Sequence, residues 1–482
     1  MVISNVKRIN DNIRELMTNG NTICAIATAS GGAIGIIRIS GEDAISIADS
    51  VFRPVNKTER LAERKPYTLA FGNIVDDEGE VIDEVLVSIF RAPHSYTGEN
   101  SVEISCHGST YIMQCIMQAL INHGCTPAGP GEFTQRAFLN GKMDLSQAEA
   151  VADLISSTNK ATHSMALSQL KGHFSSQLSQ LRKQLLHMTT LLELELDFSD
   201  HEELEFADRS ELRSLALTIQ QRIATLARSF ETGNAMKRGI PVAIVGKTNV
   251  GKSTLLNCLL HEEKAIVSDI HGTTRDYIED TTVINGIQFR FVDTAGIRKT
   301  TDVVENIGIE RTFQKLSEAN IVLWIIDEMP STEEAEEIIG CAKGKKLVTV
   351  VNKIDSTAPV ADCEWLSRLA ASQNQNFHII KVSAKQGTNI PQLEQLIAEL
   401  VDMPQITESD VVVTSVRHYN ALQSAAQNIQ RVLDAMNLGI SADLIAEDLR
   451  SVLDSLAEIT GEGRISSQET LNNIFKNFCV GK

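Results

Sequence analysis

Eight residues in the middle of this 482-residue chain, Gly246-Lys-Thr-Asn-Val-Gly-Lys252-Ser253, constrain its architecture more than any others. They follow a short apolar strand, 241–245, and open directly into an apolar helical run, 254–260. Strand, Gly-x-x-x-x-Gly-Lys-Ser, helix is the context in which a P-loop works. Gly246 and Gly251 let the backbone curl so that its N–H groups surround phosphate oxygens at a helix N-terminus. Lys252 adds charge to the β and γ phosphates, the Ser253 hydroxyl ligates Mg²⁺, and Asn249, Val250 and Thr254 lie in the same cradle. A parallel sheet flanked by helices is therefore expected around it.

Two downstream runs fit nucleotide-sensing switches. Within residues 268–274, Gly272-Thr273-Thr274 supplies a threonine able to complete the Mg²⁺ shell when a γ-phosphate is present. The strand-like run 289–293 ends in Asp293, on the metal side, and continues Thr294-Ala295-Gly296, whose glycine can sense the γ-phosphate. The apolar strand 348–351 then ends in Asn352-Lys353-Ile354-Asp355, and Val382 ends another before Ser383-Ala384-Lys385. An aspartate at position 355 accepts both the N1–H and the exocyclic amino group of guanine, whereas adenine would leave those acceptors unpaired. Order and spacing together imply hydrolysis of GTP, with a P-loop ATPase as the structural rival. Ras-like enzymes orient the attacking water with a Gln after the Asp-x-x-Gly element. Here that place is Ile297, so another group must do the work.

Around this α/β segment the pattern changes. Residues 22–41 read as strand, Gly-rich turn and strand; further strand-like runs lie at 67–75 and 85–90, and 112–123 reads as helix, so the first 140 residues suggest an α+β domain. From Leu178, apolar residues recur at 181, 185, 188 and 192, then at 212, 215, 219, 223, 226 and 230. The spacing returns at Leu444, Leu449, Val452, Leu456 and Ile459. These are amphipathic helices that need helical partners. The expected organisation is an all-α domain in two segments with the α/β domain inserted between them.

Length alone suggests roughly two to four domains. A net charge of −18 excludes an extended basic surface, so any RNA contact must be local or shared. No run approaches the roughly 20 apolar residues of a membrane helix, and the first 21 residues lack the features of a secretory signal, so a cytoplasmic location is expected with no membrane partner. Eight scattered cysteines, without a Cys-x-x-Cys pair, are expected mostly as buried small side chains.

Motifs through the whole chain resemble the MnmE (TrmE) family of tRNA wobble-uridine modification GTPases. They include residues 36–41 (Ile-Ile-Arg-Ile-Ser-Gly), 95–99 (Ser-Tyr-Thr-Gly-Glu), 130–134 (Pro-Gly-Glu-Phe-Thr), 136–141 (Arg-Ala-Phe-Leu-Asn-Gly), Asp144-Leu, 147–150 (Gln-Ala-Glu-Ala), 305–311, 459–462 and the terminal Phe478-Cys-Val-Gly-Lys482. The resemblance implies an N-terminal extension (1–21), an α+β folate-binding and dimerising domain (22–140), a helical domain in two segments (141–237 and 403–482) and an inserted P-loop GTPase domain (238–402). It implies a homodimer that, with the flavoprotein MnmG as the sole source of FAD, installs an aminomethyl or carboxymethylaminomethyl group at C5 of the wobble uridine of certain tRNAs. The one-carbon donor would be 5-formyl- or 5,10-methylene-tetrahydrofolate.

Residue by residue, the resemblance implies that Asn249, Ser268, Ile270 and Thr273 hold K⁺, and that Asp269, His271, Gly272 and Thr274 complete the first switch around GTP. Glu305 would orient the attacking water through a bridging water; without the family it reads as a solvated surface glutamate. Arg38, Glu103, Lys142 and Lys482 match folate-binding positions, and Cys479 is either a catalytic thiol beside the folate or a buried small residue. The loop 27–32 lacks the prolines often found there and is a residue shorter, and Val480 replaces the common Ile. A regulatory GTPase switch that gates partner binding, as in ribosome assembly, is the alternative function.

Overall fold

The computed structural model describes residues 20–29, 31–55, 60–197, 209–260, 279–293, 319–355, 364–372, 376–401, 410–461, 471, 474–476 and 478–481. The chain divides into two compact units, one formed by Met1–Ser156, Ala166–Gln220 and Ala421–Lys482, the other by Ser157–Met165 and Gln221–Asn420.

The first unit carries a seven-stranded sheet in the order β3-β4-β5-β6-β2-β1-β7, built from β1 (Ile23–Ile26), β2 (Ile34–Ser40), β3 (Phe52–Pro54), β4 (Thr68–Val75), β5 (Val81–Phe90), β6 (Ser101–His107) and β7 (Thr126–Pro127). Every pair is antiparallel except β1 with β7. Alternation sets the faces: Val85, Val87 and Ile89 of β5 and Val102, Ile104 and Cys106 of β6 point into the core. Against that face pack α1 (Ala44–Val51) and α2 (Thr110–Asn122). The strand β6 and helix α1 go beyond the sequence expectation, and β6 places Glu103 opposite Arg38.

The helices α3 (Glu132–Leu139), α4 (Leu145–Ser156) and α5 (Lys160–Leu170) follow. Long helices come next: α6 (His173–Asp197) and α7 (Arg209–Arg238), with α12 (Val416–Asn437) and α13 (Ala442–Thr460) near the C-terminus. The expected stripe on α6 is buried at Leu178, Leu181, Leu185, Met188 and Leu192, and α6 packs along α13. One position differs: Leu444 is 51% exposed, and Ile445 takes the inner place. The buried series 445, 449, 452, 456, 459 advances by four and three, whereas 444 to 449 is five residues and turns well off the face.

The second unit contains a six-stranded sheet ordered β13-β12-β11-β8-β10-β9. Its strands are β8 (Ile240–Val245), β9 (Glu279–Ile284), β10 (Ile287–Asp293), β11 (Ile321–Ile326), β12 (Lys346–Val351) and β13 (Asn376–Lys381). All neighbours are parallel except β9 with β10. Every residue of β11 is buried, as a strand covered on both faces requires. One cover comes from α8 (Lys252–Leu259) and α11 (Ile390–Glu399), the other from α9 (Thr332–Cys341) and α10 (Glu364–Ser372). Because the later strands lie on one side of β8 and β10 on the other, the carboxyl end of β8 is the switch point where such sheets bind ligands.

Among the described cysteines only Cys24, Cys106 and Cys125 are buried; Cys115, Cys258 and Cys341 are half-buried and Cys479 is exposed, so the expectation of mostly buried thiols is corrected. Surface ends of helices, such as that carrying Cys341, tolerate a small thiol without enclosing it. Among the described residues no helix is long and apolar enough to cross a membrane.

The deepest charge in the first unit is Arg136, 2% exposed, bonded to Glu132 at 2.8 Å, to Glu99 at 3.2 Å and to the carbonyl of Asn21 at 2.9 Å. Glu99 also accepts from the Ser40 hydroxyl at 2.9 Å. Arg136→Leu leaves two partly buried carboxylates uncompensated and should lower stability by about 3–5 kcal/mol, measured as a fall in the urea midpoint. A midpoint within the error of wild type would show that the network is dispensable.

Candidate nucleotide and folate sites

The turn leaving β8 has the geometry a phosphate cradle requires. Gly246 has φ +149° and a Cβ there would stand 2.3 Å from the carbonyl oxygen of Ile325. Gly251, at φ +97°, caps the N-terminus of α8, and a Cβ would stand 2.3 Å from Nδ2 of Asn352. Both positions exclude a side chain by contact as well as by backbone conformation. Ser253 and Thr254 are exposed at the start of α8, where the helix dipole and free N–H groups favour anions. The Lys252 ammonium spans the loop, donating to the carbonyls of Gly246 at 2.8 Å and Lys247 at 2.5 Å. Asn249, exposed and at φ +65°, projects from the same turn. Asp293 ends β10 in register with Ile244, beside the P-loop.

Asn352 ties this cradle to the base-reading loops. Its side chain is 3% exposed; Nδ2 donates to the carbonyl of Val250 at 2.8 Å and Oδ1 accepts from the N–H of Ala384 at 3.0 Å. Lys353, held at φ +61°, donates to the carbonyl of Asn249 at 2.7 Å and pairs with Asp327 at 2.6 Å. Asp327 was not singled out by sequence reasoning; its position just past the buried strand β11 was the available signal. The Ser383 hydroxyl donates to Asp355 at 2.7 Å, and this bond, aided by the charge of Lys385, holds the carboxyl below the usual carboxylate range. Asp355 thus stands as an ionised acceptor just past β12. The half-buried thiol of Cys258 donates to the carbonyl of Ala384 at 3.0 Å and buttresses the same loop.

A second constellation lies in the first unit. Arg38 donates to Glu103 through Nε at 2.9 Å and Nη2 at 2.8 Å, while Nη1 reaches the carbonyl of Gly481 at 3.3 Å. The guanidinium carbon stands 5.7 Å from the ring centres of both Tyr96 and Phe133, neighbours that the motifs alone do not identify. The Tyr96 hydroxyl is 2.9 Å from that of Thr134, and burial pushes the Tyr96 phenol up, with the Thr134 bond and Arg38 opposing. Lys142 donates to the carbonyl of Pro93 at 3.0 Å and lies against Gly98, on the loop that carries Tyr96. The C-terminal tail is docked: Val480 bridges Pro130, the N–H of Gly131 donates to the carbonyl of Cys479 at 3.4 Å, and a Cβ on Gly481 would stand 2.5 Å from the carbonyl oxygen of Ile26. That docking places the exposed Cys479 two residues from the group that touches Arg38.

Several expected site residues lie outside the described residues: Ser268, Asp269, Ile270, His271, Gly272, Thr273, Thr274, Thr294, Ala295, Gly296, Glu305 and Lys482, with the side chain of Asp293. The described part of the nucleotide site is therefore the P-loop and the base-reading loops. The described part of the other site is Arg38, Glu103, Lys142 and the tail to residue 481.

Comparison with known proteins agrees with this geometry. The family model of the MnmE helical domain matches residues 145–479, and that of the GTP-binding protein TrmE N-terminus matches residues 22–142. The tRNA modification GTPase MnmE of Phocaeicola vulgatus is 54% identical over 97% of this chain and 100% of its own length. Its namesake from Bacteroides thetaiotaomicron is 54% identical over 96% of this chain and 100% of its own, and that from Flavobacterium johnsoniae is 50% identical over 97% and 100%. With a P-loop and a guanine-reading pair set in a switch-point sheet, and relatives matched end to end, the chain belongs to the MnmE family of GTPases.

Proposed function

We propose that this GTPase acts in the cytoplasm, as a homodimer with the flavoprotein MnmG, to add an aminomethyl or carboxymethylaminomethyl group at C5 of the wobble uridine of certain tRNAs. The one-carbon unit comes from 5-formyl- or 5,10-methylene-tetrahydrofolate. In this reading the GTPase domain, 238–402, is inserted into a helical domain formed by 141–237 and 403–482, and 22–140 binds folate and dimerises. The observation that carries it is the convergence of Glu103, Tyr96 and Phe133 on Arg38, which itself bonds the docked C-terminal tail.

A guanidinium fork beside a carboxylate presents donors and acceptors in one plane, the complement of a pterin amide edge; the partly exposed ring of Tyr96 can stack on that heterocycle, while the buried ring of Phe133 supports Arg38 from within the core. Tetrahydrofolate supplies the one-carbon unit when bound; the chain's residues grip it, and Lys142 and Lys482 meet its carboxylates. Cys479, exposed beside that site, is available to assist the uridine chemistry. In calorimetry with 5-formyl-tetrahydrofolate the wild-type chain should bind, and Arg38→Ala should weaken binding at least about 10-fold by loss of charge-assisted hydrogen bonds. GTP hydrolysis should stay unchanged, because the P-loop belongs to the other unit. Absence of binding to the wild type would remove the folate assignment.

For hydrolysis, Lys252, the α8 N-terminus and Mg²⁺ on Ser253 and Thr274 stabilise charge on the phosphates. Ile297 cannot orient water, so Glu305 takes that role through a bridging water. Asn249, Ser268, Ile270 and Thr273 would hold a K⁺ ion, which would supply the positive charge that an arginine finger otherwise supplies as two GTPase domains meet. Hydrolysis should be fast in K⁺ and about 10³-fold slower in Na⁺ at equal ionic strength, the scale of one lost charge-stabilising group. Asn249→Ala should erase the difference by lowering the K⁺ rate. Equal rates of the wild type in both salts would contradict the mechanism and direct the search to an arginine from a partner.

A further inference from the structure

The longest stretch of this acidic chain without a carboxylate side chain is residues 154–192. Asp and Glu make up 62 of 482 residues, so 39 residues would carry about five; residues 154–192 carry none, yet hold Lys160, Lys171, Arg182, Lys183 and three histidines. Most of that stretch forms α6, in the first unit. One face of α6 is buried against α13. The other exposes Ser176, Ser179, Lys183, His187 and Thr190, with Lys171 just before the helix.

We propose that this outer face of α6 docks the sugar-phosphate backbone of RNA. The inference rests on the reading that tRNA is the substrate and adds where the RNA sits. Hydroxyl, ammonium and imidazole groups are the donors that proteins use on phosphate and ribose oxygens. A single interspersed carboxylate would oppose each contact, and none is present between residues 171 and 190; the first on the helix, Glu193, is paired with Arg450 of α13. The contrast with the helix behind it is local: α13 carries Asp443, Glu447, Asp448, Asp454 and Glu458. From residue 171 to 190 at about 1.5 Å per residue the surface runs roughly 28 Å, enough for several successive phosphates. In a chain of net charge −18, such a local reversal of sign is what lets a polyanion approach at all.

The test uses the full chain and fluorescence anisotropy with labelled tRNA at about 50 to 200 mM KCl. Ser179→Glu with Lys183→Glu should weaken tRNA binding about 10-fold or more and make the dependence of log affinity on log salt shallower by about one to two. The milder Lys183→Gln should move both in the same direction, and GTP hydrolysis should remain at the wild-type rate. Thr218→Glu, on the exposed side of α7, should leave tRNA affinity unchanged. An unchanged affinity in the double variant, an equal loss with Thr218→Glu, or loss of a protein partner with tRNA binding intact would each overturn the assignment of this face while leaving tRNA as the substrate. A wild-type chain that binds no tRNA even at the lowest salt would overturn both.

Discussion

The side chain of Asn352 is the point on which the nucleotide site depends. One buried amide holds the carbonyl of Val250 and the N–H of Ala384, so the phosphate loop and the guanine-reading loops share a single rigid connector. Its neighbours reinforce it: Gly251 has no side chain because Asn352 fills that space, and Lys353 grips Asn249 from the other side. A buried amide left without either partner costs more than the bond contributes when made. Cradle and base-reader therefore form together, or neither does.

The second site depends on a different kind of closure. Arg38 and Gly481 are 443 residues apart yet bonded, so the constellation exists only once the N-terminal sheet and the C-terminal tail have assembled. Small backbone features make that assembly possible. Gly131, at φ +65°, would place a Cβ 2.9 Å from Phe478, and one on Gly481 would stand closer still, 2.5 Å from the carbonyl oxygen of Ile26. The P-loop in one unit and the Arg38 constellation in the other are thus built from separate parts of the fold.

How much of this was legible in the sequence follows from range. The P-loop, the run 352–355 and Ser383-Ala384 are contiguous motifs in which side-chain type and spacing carry the chemistry, and in the structure Asn352 bonds both Val250 and Ala384. The helices from 178 and 212 announced themselves by period. Leu444 did not obey, because a stripe read from apolar content alone cannot distinguish it from its neighbour Ile445. Beyond reach were pairings between distant segments: Tyr96 and Phe133 around Arg38, Asp327 beneath Lys353, and the connecting role of Asn352, which the motif presents only as a nucleotide contact. Such roles arise from packing and leave no periodic mark.

Nucleoside mass spectrometry of bulk tRNA from cells lacking this chain tests the account most directly. The account predicts loss of the 5-aminomethyl or 5-carboxymethylaminomethyl wobble uridines, restored by the wild-type chain and not by one carrying Asn352→Ala. An unchanged set of modified uridines, accompanied by incompletely assembled ribosomal particles, would contradict it and identify the chain as a regulatory switch.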